Sequence, residues 1–257
     1  MILRDDLVNT LAELLNVQNF DDYCPNGLQV EGRAEISKII GGVTASQALV
    51  DAAVAQEADA ILVHHGYFWK GENPCVVGMK HARLKALLDG GINLLAYHLP
   101  LDAHPQLGNN AQLAKLLGLK TMGSFGRGII NNGPDIGLFG EVEKPCTAEA
   151  LGQQLEEKLG RTPIHIAGGG DGGKIRSIAW CTGAAQGYLE QAATLGVDAF
   201  ISGEISEPTV HEARELGIHY YSAGHHATER GGVMALGAYI AEQYPVDFEF
   251  IDIENPA

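Results

Sequence analysis

Two stretches of the chain align without gaps, and together they constrain what it can fold into. GGVTASQALVDAAVAQEADAILVHH (41–65) matches WCTGAAQGYLEQAATLGVDAFISGE (180–204), so that Gln47 meets Gln186, Asp51 meets Glu190 and Asp59-Ala60 meets Asp198-Ala199. The next segment repeats as well. Gly91-Ile92 corresponds to Gly217-Ile218 and, after one residue of slippage, His98 and Asp102 correspond to His225 and Glu229. Unrelated βα units share small and apolar residues, but not a glutamine, an Asp-Ala pair and a His-x-x-x-carboxylate together. An internal duplication is therefore expected.

Each half alternates apolar, β-rich runs with helical stretches. KIIGGVTA predicts a strand, followed by a helix from Ser46 to Gln56 and the strand ADAILVH. MKHARLKALLDGG predicts a helix that leads to INLLAYH. The second half repeats the order with SIAWCTG, QGYLEQAATLG, VDAFIS, VHEARELG and IHYYSAG. Strands separated by helices of this length imply βαβ units, an α/β class and mainly parallel sheets. The expected organisation is two similar lobes. Residues 1–122 would carry the HHG and HLPLD motifs, and residues 123–257 GHHATE, with the C-terminal segment packing back on the first lobe. The turn-rich stretch 121–175 is expected to hold the linker and a few antiparallel strands.

Composition excludes several function classes. The N-terminal MILRDDLVNTLAELL places Leu3, Leu7, Leu11, Leu14 and Leu15 on one helix face, while Asp5, Asp6 and Glu13 break any signal-peptide core. No run approaches the ~20 apolar residues of a membrane span, so no membrane partner and a cytoplasmic location are expected. Cys24, Cys75, Cys146 and Cys181 form no CxxC pair and read as reduced structural thiols. A formal charge of −15 makes nucleic acid an unfavourable partner.

In open α/β sheets, functional side chains gather beyond the carboxyl ends of the strands. Here those ends carry HHG (64–66), HLPLDAH (98–104), Gly203-Glu204 and GHHATERGG (224–232). A lone histidine is usually a satisfied core residue. Several at one edge, accompanied by Asp102 and Glu229, point to a metal site. Mixed imidazole and carboxylate donors suit Zn, Fe, Mn or Ni better than Mg or Ca. Two neighbouring cations would need a bridging carboxylate, for which Glu229 and Asp102 are both candidates. His225 and Glu229 would share one side of a single helical turn. Adjacent His64 and His65 pose a problem, because successive strand residues point to opposite faces. A turn at Gly66 is expected to relax that rule.

Other motifs read as structural. GGGDGGK (168–174) has the spacing of a P-loop, but Ile175 replaces the Mg-binding hydroxyl and a strand-like run follows, so a hairpin turn is expected. Pro25-Asn26-Gly27 signals a turn. Tyr67, Phe68 and Trp69 are expected in the core or a subunit contact rather than as a base-stacking platform.

DDYCPNGLQVEG, GVTASQALVDAA, DAILVHHGYFWKG, YHLPLDAHPQLGNNAQLA, DAFISGE and AGHHATERGG together resemble the dinuclear-metal-centre family labelled GTP cyclohydrolase I type 2, of the bacterial YbgI type. The resemblance runs from about residue 20 to the C-terminal FIDIENPA. It implies two interlinked α/β lobes assembled as a toroidal homohexamer, with two divalent metal ions per subunit. The implied ligands are His64, His65, Asp102, His225 and Glu229, with Glu229 bridging. His98 and His226 are then neighbours able to orient ligands or handle protons. The implied activity is metal-dependent hydrolysis of a nucleotide or related small molecule. A non-catalytic metal-binding hexameric scaffold or adaptor is the alternative.

Overall fold

The computed structural model describes residues 1–126, 133–168 and 173–257. Its elements in chain order are β1 (Ile2–Leu3), α1 (Arg4–Leu14), β2 (Gly27–Val30), β3 (Glu35–Ile36), β4 (Lys38–Thr44), α2 (Gln47–Ala55) and β5 (Ala60–His65). Then come α3 (Gly78–Gly90), β6 (Asn93–Ala96), α4 (Leu99–Ala103), α5 (Asn109–Leu117), β7 (Leu119–Phe125), β8 (Gly137–Cys146) and α6 (Ala148–Leu159). The remainder are β9 (Ile164–Ile166), β10 (Ile175–Cys181), α7 (Leu189–Thr194), β11 (Ala199–Ser202), α8 (Glu207–Leu216), β12 (His219–Ser222), α9 (His225–Gln243) and β13 (Asp247–Phe250). Two compact units result: Met1–Gly108 with Gly232–Glu254, and Asn109–Gly231 with Asn255–Ala257.

The first unit is built on the sheet β13-β4-β5-β6-β2, in which only β2 runs antiparallel to its neighbour. Its central strands are apolar on both faces, as a parallel sheet covered on both sides requires. Ile39, Ala60, Leu62 and Leu95 share a core with Leu7 and Leu11 of α1 and Val233, Leu236 and Ile240 of α9. Ile40, Ile61, Val63 and Leu94 pack with Leu49, Val50 and Ala53 of α2. Ser46 caps α2, its hydroxyl accepting the Leu49 N–H at 3.3 Å.

The second unit has the sheet order β7-β8-β10-β11-β12-β9. Its parallel core of β10, β11 and β12 is flanked by antiparallel β8 and β9, and β7 lies antiparallel on β8. The antiparallel strands expected within 121–175 are thus present. That stretch also holds α6, which the expectation omitted. Its signals are conventional: Thr147 accepts the Ala150 N–H at 3.2 Å, Leu151, Leu155 and Leu159 recur at helical spacing, and Gly160 ends it in the left-handed region. The core of the GGGDGGK motif, 169–172, lies outside the described residues, but β10 begins at Ile175 as a strand. Among the described residues, no helix is long and apolar enough to cross a membrane.

The duplication is visible in the registers. Ile39 pairs with Ala60 as Ile178 pairs with Ala199, and Ala60 pairs with Asn93 as Ala199 pairs with His219. The matched aspartates do one job twice. Asp59 Oδ2 accepts the N–H groups of Ser37 (2.9 Å) and Lys38 (3.1 Å). Asp198 Oδ2 accepts those of Arg176 (2.8 Å) and Ser177 (2.9 Å). Burial alone would raise the Asp198 carboxyl, but these donors outweigh it and hold the group below the ordinary carboxylate value. Asp198→Ala should therefore destabilise the protein by about 1–3 kcal/mol in denaturant melts at neutral pH. Because a lowered pKa stabilises only where the group is ionised, the deficit should shrink as pH falls below 3.8.

Candidate metal centre

The first unit gathers four of the expected residues. His64 is fully buried, and its Nδ1 lies 2.9 Å from the Tyr97 carbonyl oxygen. A carbonyl only accepts, so Nδ1 carries the proton and Nε2 keeps its lone pair. That Nε2 is 3.5 Å from Asp102 Oδ1, whose side chain is 7% exposed. His65 Nδ1 meets the Thr44 hydroxyl at 3.1 Å, and His98 Nδ1 meets Asp22 Oδ1 at 2.7 Å. The ring centroids of His64 lie 4.6 Å from His65 and 5.0 Å from His98. His64, His65 and His98 can each offer one ligand atom within 4.8 Å of the others.

The expected role of Gly66 needs correction. Strand β5 continues through His65, which pairs with Thr44, so the two histidines lie inside regular strand and still approach each other. Gly66 does not adopt a positive φ. A side chain there would collide with Gln29 and Ala96, so glycine is required for space. Gln29 Oε1 uses that space to accept the Tyr67 N–H at 2.6 Å.

In the second unit, His225 opens α9 and Glu229 follows one turn later. His225 Nε2 stands 3.1 Å from Glu229 Oε2, and its Nδ1 2.7 Å from Glu204 Oε1. Glu229 is 3% exposed. Gly183 makes room for it: φ is +69°, and a Cβ would run into the Glu229 carboxylate. Burial pulls the His225 pKa down, but hydrogen bonds and charge from Glu229 and Glu204 outweigh it and raise the pKa to about 9. His226 is buried, and its backbone N–H donates to the Ala257 carbonyl at 3.2 Å.

The sequence motifs assign Asp22 and Thr44 no role, and place Asn26 only in a turn and Glu204 only at a strand end. Asp22 lies just ahead of the Pro25-Asn26-Gly27 turn. Its carboxylate, 2% exposed at the side chain, accepts from Tyr23 N–H (2.6 Å), Asn26 Nδ2 (2.8 Å) and Leu99 N–H (2.9 Å) besides contacting His98. Asn26 Oδ1 in turn accepts the His98 N–H at 2.7 Å. The usable signal for Glu204 was the repeat itself, since it occupies the position of His65. Cys24 also lies beside Asp22 and His98. Burial and the Asp22 charge push its thiol up to about 12, so it stays protonated.

The donor chemistry fits a divalent cation. Imidazole nitrogens and buried carboxylates are brought together, and Nδ1 of His64, His65, His98 and His225 lies against an oxygen, as in metal-ligating histidines. These are two α/β units carrying histidine–carboxylate donor sets at their strand ends. The chain belongs to the Duf34/NIF3 (NGG1p interacting factor 3) family, whose model matches residues 2–256. It is 57% identical over 252 residues to a Yersinia pestis protein named GTP cyclohydrolase 1 type 2 homolog, covering 98% of each chain. A Pseudomonas aeruginosa protein of the same name is 54% identical over 256 residues, covering 100% of this chain and 99% of the other. A solved structure titled protein ybgI, unknown function, superposes with a TM-score of 0.94 at 51% identity, covering 100% of both chains. The resemblance seen in the motifs is thus a family membership.

A metal needs neutral imidazole, so occupation of the His225 donor releases a proton whenever the pH lies below about 9. In metal-free protein, NMR should find His225 titrating near 9, and Glu204→Gln should move it down toward 6.5. The same change should weaken metal binding by about 10–100-fold, the usual loss for an orienting carboxylate.

Proposed function

We propose that the chain is a dinuclear metal-dependent hydrolase acting on a nucleotide or related small molecule, a cytoplasmic protein that works as a toroidal homohexamer. The residues that would hold the metal are His64, His65 and Asp102 of the first unit and His225 and Glu229 of the second. The observation that carries this reading is the repeated anchoring of Nδ1. His64, His65 and His225 each have that nitrogen on an oxygen acceptor or hydroxyl, which leaves Nε2 to coordinate. Divalent ions in such a site polarise a bound group and bring the pKa of a bound water toward 7.

The chain's own residues supply the rest. Asp22 holds the His98 proton on Nδ1, leaving Nε2 able to accept one from a reacting group. His226, next to a ligand on α9, is the second proton-handling group of this reading. Glu229, 3% exposed and beside His225, would offer a carboxylate oxygen to a cation in a largely desolvated setting.

Glu229→Ala should lower the metal content of the purified protein measured by elemental analysis, and should abolish metal-dependent turnover in a screen of nucleotides and phosphoesters. If the metal-loaded wild type turns over none of them and its assembly falls apart on chelation, the hydrolase reading fails and the scaffold reading replaces it.

A further inference from the structure

The triplet Tyr67-Phe68-Trp69 follows the histidine pair, and its three rings serve different purposes. Tyr67 is core: it is 7% exposed, packs in the α2-side cluster and donates its hydroxyl to the Ala45 carbonyl at 2.9 Å. Phe68 sits at φ 65°, a left-handed conformation that is rare for a bulky aromatic residue. Lys80 Nζ lies 5.2 Å from its ring centroid. Trp69 turns onto the imidazoles. Its ring lies 5.0 Å from His98 at 84° and 5.9 Å from His65, and its Nε1 donates to the Gly66 carbonyl at 3.2 Å.

A second ring stands beside the same histidine. Tyr23 is 45% exposed, with its centroid 6.4 Å from His98. Its carbonyl accepts the Lys70 N–H at 2.7 Å, which fastens the loop carrying Tyr23 to the loop carrying Trp69. Neither ring holds an imidazole in place, since Tyr97, Thr44 and Asp22 already do so. Strained backbone persists where the surroundings over-determine it and tends to cluster at functional sites. Here it immediately precedes Trp69. The planes of Trp69 and His98 meet nearly at a right angle, so a flat ring laid against one presents its edge to the other.

We propose that Trp69, with Tyr23 beside it, forms the stacking wall of a subsite for a planar heteroaromatic ring, a nucleobase, held against the His65–His98 face. This rests on the hydrolase reading and assigns the ring-binding part of its substrate. Stacking of this kind accepts any base, because every base has a π face. The wall thus sets the substrate class.

The chain offers its own reporter. It has two tryptophans, and Trp180 is fully buried with Nε1 donating to the Asn110 carbonyl at 3.0 Å. A ligand-dependent change in tryptophan emission therefore reports on Trp69. Metal-loaded wild type is titrated with guanosine, adenosine, cytidine and uridine, and with ribose 5-phosphate as the ring-free control. Calorimetry follows the same ligands on Trp69→Leu, Trp69→Phe and Glu229→Ala.

At least one nucleoside should quench emission saturably while ribose 5-phosphate does not. Trp69→Leu should weaken its binding about tenfold or more, and Trp69→Phe should stay within about threefold, with metal content and melting temperature unchanged. Three results would overturn the subsite: no nucleoside binds, ribose 5-phosphate quenches as the nucleosides do, or Trp69→Leu alters only the mass of the assembly. Nucleoside binding sensitive to Trp69, together with no turnover in the nucleotide and phosphoester screen and an assembly that falls apart on chelation, would sink the hydrolase reading and leave the subsite standing.

Discussion

An imidazole holds a cation only along the lone pair of one nitrogen, and the hydrogen bond on the other nitrogen sets that direction. In this chain those second bonds depend on strand register. Thr44, which meets His65, is its partner across the β4–β5 ladder. The Tyr97 carbonyl, which meets His64, follows β6, and the Tyr97 N–H bonds the Val63 carbonyl at 3.0 Å. A slip of β5 by one residue against both neighbours would exchange faces and take both partners away. The apolar strand faces that fix the register, Ile39 with Leu62 on one side and Ile40 with Ile61 on the other, therefore also fix the chemistry.

Matching registers in the two units place two histidines far apart in the chain in one arrangement. His98 and His225 occupy equivalent places after the third strand of each repeat, and each has Nδ1 2.7 Å from a carboxylate. The carboxylates come from different sources. Glu204 belongs to the repeat and stands where the first half has His65, whereas Asp22 comes from the turn ahead of β2. One fold position thus carries an imidazole in the first unit and, in the second, a carboxylate that meets a neighbouring imidazole.

What was legible in the sequence follows the range of the interaction responsible. The alternation of strands and helices, the repeat and the helical turn joining His225 to Glu229 depend on local periodicity, and the structure contains them. The signals for α6 were equally local, in Thr147, Leu151, Leu155 and Gly160, but they lay in a stretch dominated by turn residues. Asp22 was hidden for a different reason: it meets His98 across 76 positions, and only the folded β2–β6 edge brings them together. The misreading of Gly66 has the same origin. A glycine needed for an unusual dihedral and one needed for space look identical until Gln29 is placed beside it.

Burying these donors is expensive, and the second unit shows that the fold does not demand it. An uncompensated polar or ionised group removed from water costs several kcal/mol. The counterpart of His64 is Gly203, where even a Cβ would press on the Gly183 carbonyl at 2.6 Å and His225 Cα at 2.7 Å. The same strand end therefore accommodates a fully buried imidazole in one unit and excludes a methyl group in the other. Had packing alone chosen the residue, both ends would have been free to close in that way. The first unit instead keeps His64, with its Nδ1 satisfied by a backbone carbonyl and its Nε2 turned to Asp102, an arrangement that packing does not require.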